Sequence, residues 1–327
     1  MNGNSDAVID TAPRVYTAAD VRAAVTMQAA IDSARRAFVT AARGTAVTPD
    51  QLSLDVDDHK GEVHVKGAYL QGSGVFALKT STGFGGNAAL GLPSSDGFTS
   101  VFEARSGRLL AILLDQGYLT NLRTAAAGAV VLEALAPPNV HTVAVVGTGD
   151  QSGFQIEGLC AACQPDQILV VGRERVRAEQ VVARVKAVTN AELRPTTDLE
   201  SAVRAAQVVI TATSARHPLV RANWLRPSMH ITAVGSDSAG KRELELSVLR
   251  AADQVVVDDV VQSRQLGELK GVPDRLLRRP AVALGDVLSG DAAGRRNAED
   301  LTLCDLSGLG VQDAAIAETA VVALDLS

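Results

Sequence analysis

VAVVGTGDQSGFQ, residues 143–155, joins a short apolar run to a glycine turn and then to a segment with helical spacing. A continuous apolar run of this length suits a parallel strand covered on both faces. Gly147 and Gly149 follow the run directly, and Ser152 takes the third small position of a G-x-G-x-x-G/A turn, with Gly153 beside it. Backbone N–H groups at the start of such a helix hold a pyrophosphate, which makes Gly147, Gly149, Asp150 and Gln151 candidate contacts to a dinucleotide. The same texture continues in ILVVG (168–172), QVVITAT (207–213), HITAVG (230–235) and QVVVDD (254–259), each followed by a helical segment. This alternation predicts a Rossmann-type doubly wound parallel sheet. Thr211, Thr213 and Ser214, at the end of the third run, are further candidate cofactor contacts.

The tip of the second run bears on which nicotinamide cofactor is bound. A carboxylate there accepts from a free ribose 2′-OH and repels a 2′-phosphate. Val171 is followed by Gly172, Arg173, Glu174 and Arg175, so a small residue and a phosphate-binding fork stand where the carboxylate would be. NADP(H) is therefore expected over NAD(H), with Glu174 as the opposing charge.

Outside this unit the texture differs. The chain has 327 residues, enough for about two domains of roughly 150 residues each. Residues 1–13 read as a tail, and a helix is expected from Thr17 to about Arg43. SLDVD, EVHVKGAYL, GVFALKTS, FTSVFEA and LLAILLD between Leu52 and Leu114 read as one mostly antiparallel sheet. An alanine-rich helix follows over 119–135 and stops at Pro137-Pro138. Lys+Arg 31 against Asp+Glu 37 gives a net charge of −6 without a basic block, which argues against a nucleic-acid or anionic-membrane partner. No membrane span and no secretory leader are read, so a cytoplasmic location is expected. The 3 cysteines are too few and odd in number for a disulfide framework. The Cys160/Cys163 pair falls late in a helix, where core packing is the simpler reading. No metal site is expected.

GYLTNLRTAAAGAV (117–130), VGTGDQ (146–151), AVGSDSAGKREL (233–244), DLSGLGVQD (305–313) and LKTSTGFGGNAALGLPS (78–94) occur in the order and spacing of the ornithine cyclodeaminase and mu-crystallin family, which the chain resembles over nearly its whole length. The resemblance implies an α/β fold in which the Rossmann sheet (123–304) is inserted into a discontinuous α+β substrate and dimerisation domain (1–122 plus 305–327), and it implies a homodimer. It implies that Arg123 grips a substrate α-carboxylate, that Lys79 contacts the carboxylate and the reacting centre, and that Asp237 handles protons or water beside the nicotinamide. A glutamate that receives the distal amine in ornithine-specific members is matched here by His64, with Lys66 on the same strand face. A pocket gathering His64, Lys66, Lys79 and Arg123 would be cationic and would favour an acidic or neutral amino or imino acid, iminosuccinate being one example. The implied activity is NAD(P)H-dependent reduction of an α-imino acid or ketimine, or amino-acid dehydrogenation in reverse. Two alternatives stay open: cyclising deamination of ornithine or an ectoine-degradation substrate with recycled NAD, and ligand binding without turnover.

Overall fold

A computed structural model describes residues 12–93, 95–238 and 240–325. Most of the tail expected over 1–13 lies outside them. The first half builds β1 (Arg14–Thr17), α1 (Ala18–Ala24), α2 (Met27–Ala42), β2 (Ala46–Val47), β3 (Leu52–Val56), β4 (Gly61–Leu70), β5 (Val75–Phe84), β6 (Ser95–Glu103) and β7 (Leu109–Leu114). The seven strands form one sheet in the order β1-β7-β6-β5-β4-β2, with β3 also paired to β4. Only β1 is parallel to its neighbour. The single helix expected over 17–43 is two, because the chain turns extended at Val25 and Thr26 caps the second with its hydroxyl.

Helix α3 (Tyr118–Leu135) then leads into β8 (Thr142–Val146), α4 (Asp150–Ala162), β9 (Gln167–Val171), α5 (Arg175–Val185), β10 (Glu192–Thr196), α6 (Leu199–Ala205), β11 (Val208–Thr211), β12 (His230–Ala233), α7 (Leu246–Ala251), β13 (Gln254–Val257), α8 (Val260–Gln265), β14 (Val282–Ala283), α9 (Leu284–Ser289), β15 (Thr302–Asp305) and α10 (Gly310–Ala323). The second sheet is eight-stranded, in the order β10-β9-β8-β11-β12-β15-β13-β14, and every pair in it is parallel. β10 escapes the apolar-run criterion because it reads ELRPT; a proline inside a strand is tolerated at the edge, where β10 lies. β15 is fully buried between β12 and β13.

After β15 the chain returns to the first sheet. α10 packs across β4, β5 and β6 and against α2 and α3, so the parallel sheet is an insertion in a discontinuous unit. α3 packs on both α2 and α4 and is the shared wall between the two sheets. Cys160 lies in the last turn of α4 and Cys163 caps it, both half-buried against the core. Burial pushes the Cys163 thiol up to about 11, the opposite of what a redox thiolate needs. Among the described residues no helix is long and apolar enough to cross a membrane.

His230 sits inside the parallel sheet with no exposed surface, its ring nitrogens 2.9 Å from the hydroxyls of Thr232 and Thr302. Burial, aided by Arg295, pushes its pKa down to about 3. Below about pH 6.5 the unfolded chain takes up a proton here that the folded chain refuses, so stability falls as the pH drops toward 3. His230→Gln removes this dependence. Urea unfolding at pH 7 and pH 5 is expected to show the variant's stability deficit shrinking by about 2 kcal/mol at the lower pH; a constant deficit would contradict a neutral buried imidazole.

Candidate active site

Cross-strand register places Lys66 on β4 opposite Lys79 on β5, then Thr99 on β6 and Leu113 on β7, all on the sheet face covered by helices. Arg123 projects from the second turn of α3 and Asp313 from the first turn of α10. Lys79 Nζ lies 2.7 Å from Asp313 Oδ2, and Arg123 Nε donates to Asp313 Oδ1 at 3.1 Å. The three side chains are 10%, 11% and 5% exposed. Burial works to raise the Asp313 carboxyl, but Lys79 and Arg123 outweigh it and hold it below the usual carboxylate range. Burial pulls the Lys79 ammonium down against the pull of Asp313.

Among the described residues, neither Nη group of Arg123 makes a hydrogen bond or ion pair. The backbone of Gly308 lies beside them: φ there is +84° and a Cβ would stand 3.2 Å from Nη1. Its loop is fixed by Asp258, which accepts from Gly308 N at 2.6 Å and Ser307 Oγ at 2.9 Å, and whose own pKa burial pushes up to about 6.

In the parallel sheet, the carboxyl ends of β8, β9 and β11 enclose a cleft of about 670 Å³ bordered by Gly147, Gly149, Gly172, Arg173, Thr213 and Ser214. At Gly147 φ is +129° and a Cβ would come within 2.4 Å of the Ala212 carbonyl, so only glycine allows this close turn. Gly149 caps α4 and opens onto free space, which leaves the first N–H groups of that helix accessible to a phosphate. The cleft therefore fits a dinucleotide. Gln151 donates from Nε2 to Asn121 Oδ1 at 2.7 Å, and Gln155 to the carbonyl of Thr124 at 2.9 Å. The nucleotide helix is thereby fixed to the helix that carries Arg123.

A match to the model of the ornithine cyclodeaminase/mu-crystallin family spans residues 11–322. The chain belongs to that family. It is 40% identical over 275 residues to an uncharacterized cyclodeaminase of Sinorhizobium fredii, covering 83% of each chain. Among solved structures it is similar to an archaeal alanine dehydrogenase dimer with bound NAD (30% identity, TM-score 0.86, 95% of each chain). It is also similar to the iminosuccinate reductase of Paracoccus denitrificans in complex with NAD+ (26% identity, TM-score 0.86, 96% of each chain).

Of the residues selected from the family motifs, Lys79 and Arg123 meet, and Lys66 lies beside them. Asp237 stands on the loop after β12, half exposed, with Lys241 Nζ 2.6 Å from its Oδ1. His64 is drawn to the edge strand instead: its Nδ1 lies 2.7 Å from Gln51 Nε2 and 3.1 Å from Ser53 Oγ. Asp150 is exposed and paired with Arg184. Thr211, expected at the cofactor, does not border the cleft: its hydroxyl is fully buried and donates to Glu243 Oε2 at 2.6 Å. Thr213 does border the cleft, but its hydroxyl donates to Glu243 Oε1 at 2.7 Å.

Asp313 ends one family motif and Glu243 is the next-to-last residue of another, yet neither is marked as functional by the sequence. The missing signal was tertiary: Asp313 is 190 residues from Arg123. Asp313→Asn leaves one of the two buried cations without an acceptor and is expected to lower unfolding stability by about 3 kcal/mol. Urea denaturation measures this, and a loss under 0.5 kcal/mol would mean that the cations are solvated.

Proposed function

We propose that this chain is a nicotinamide-dependent oxidoreductase that reduces the C=N bond of an α-imino acid, or oxidises the C–N bond of the amino acid in reverse. The observation that carries this reading is the Lys79–Asp313–Arg123 cluster, tied to the dinucleotide-binding turn through α3, whose Asn121 accepts from Gln151. Arg123 presents two unused Nη groups to a planar carboxylate, and Lys79 adds a point charge. An α-carboxylate held there fixes the adjacent carbon, so the reaction begins from an oriented pair. When bound in the cleft, the nicotinamide supplies the hydride that carbon gains and is itself oxidised. The imine nitrogen takes up a proton. Asp237, kept in place by Lys241, is the residue assigned to pass that proton directly or through water.

NADP(H) is the preferred cofactor in this reading. Arg173 and Arg177 both border the cleft at the tip of β9, and the Glu174 carboxylate is turned toward Arg177, 3.6 Å away. The positive side of the cleft suits a 2′-phosphate.

A homodimer is supported by the sheet face opposite Lys79. Val15, Leu52, Leu54, Leu78, Phe98 and Leu114 share that face and are 57%, 59%, 56%, 37%, 37% and 44% exposed. A contiguous apolar surface of this kind is a site for burial against another subunit. Light scattering is expected to return about twice the 33.9 kDa chain mass; a monomer at micromolar concentration would oppose this.

The activity is tested by following NADPH and NADH absorbance with pyruvate or oxaloacetate plus ammonia or methylamine, and with cyclic ketimines. Oxidation of the cofactor is expected, with the lower KM for NADPH. No turnover on any of these would overturn the reading. Ammonia release from an amino acid with no net change in absorbance would assign cyclising deamination instead.

A further inference from the structure

Lys66 is the one cation of the cluster whose charge is left over. Its side chain is half-buried, yet it makes no hydrogen bond or ion pair among the described residues, and each acid within electrostatic reach is committed elsewhere. Asp313 is shared between Lys79 and Arg123, Asp237 is bound to Lys241, and Asp258 accepts from Ser307, Gly308 and Asp259. Lys66 also faces Lys79 directly across the β4–β5 pair. Like charges at such a position repel, and an ammonium withdrawn from water without a partner costs free energy. A methionine or leucine would fill the same space without either penalty. A negatively charged group held here would offset both penalties.

We propose that the substrate carries a second anionic group, and that Lys66 receives it while Arg123 and Lys79 hold the α-carboxylate. The substrate class is then a dicarboxylic α-amino or α-imino acid. This rests on the reading of the site given above, and it adds the side-chain chemistry. Opposed residues on adjacent antiparallel strands have Cβ atoms about 5 Å apart, so Lys66 and Lys79 reach a common space above the sheet. A side-chain ammonium would meet Lys66 head-on, which disfavours basic amino acids. A methyl side chain would leave Lys66 as it is, with no gain from the contact.

Binding and turnover test this separately. Calorimetric titration of succinate and butyrate into the wild-type protein with NADP+ present compares two four-carbon acids that differ by one carboxylate. Succinate is expected to bind at least 10-fold tighter, the range of a charged hydrogen bond. Lys66→Met is expected to cut that ratio at least 10-fold, and Lys66→Arg, which keeps the charge, to retain most of it. Kinetics with aspartate, glutamate, alanine and ornithine should rank kcat/KM in the order acidic, neutral, basic, with the acidic-to-neutral ratio collapsing in Lys66→Met. Equal affinity for succinate and butyrate, or a ratio unchanged in Lys66→Met, overturns the inference. Turnover of alanine or ornithine ahead of aspartate and glutamate overturns it too, while leaving the oxidoreductase reading intact. Selective succinate binding without turnover of any substrate would support the Lys66 assignment and reject that reading.

Discussion

The carboxylate of Asp313 joins charged side chains from three separate parts of the chain. Lys79 comes from the first sheet, Arg123 from the helix shared by both sheets, and Asp313 from the last helix. Burying three ionised groups is costly, and the cost is recovered only when each finds its partner at short range. One acid set against two cations cannot neutralise the site. The surplus positive charge, enlarged by Lys66, sits inside a protein whose net charge is −6. In the proposed reaction this surplus is what holds the substrate carboxylate.

A second set of buried acids holds the rim of that cleft. Glu243 accepts from Thr211 Oγ1, Thr213 N, Thr213 Oγ1 and Gly235 N, tying the ends of β11 and β12 together. Its own backbone N–H donates to Glu268, whose N–H in turn donates to Asp305. Burial raises the pKa of each of these acids, that of Glu268 to about 7. Asp258, which holds the loop beside Arg123, lies within electrostatic reach of Asp305. The cofactor cleft and the loop beside Arg123 are thus parts of one hydrogen-bonded framework, since Asp258 N also donates to the Asp305 carbonyl.

Much of this was legible in the sequence. The apolar runs after Pro138 are parallel strands because both of their faces are covered, and the turn at Gly147 demands glycine for a steric reason that the spacing already implied. Lys79 and Arg123 were reached through family motifs. What stayed hidden depended on contacts distant in sequence. Asp313 looks like any helical aspartate until α10 folds back onto β5. Thr211 looked like a cofactor contact because it ends a strand, yet strand-end residues alternate in direction and this one faces Glu243. His64 shares a face with Lys66, but Gln51 and Ser53 draw it to the edge strand. β10 was obscured by Pro195, which its edge position accommodates.

The proposed reaction is hydride transfer to a carbon held by its neighbouring carboxylate. It is tested most directly with NADPH carrying deuterium at the transferable C4 position, together with an α-imino acid formed from a keto acid and ammonia. Mass spectrometry of the amino-acid product is predicted to find one deuterium, located at the α-carbon. An unlabelled product, or consumption of the imino acid without oxidation of the cofactor, would contradict the account.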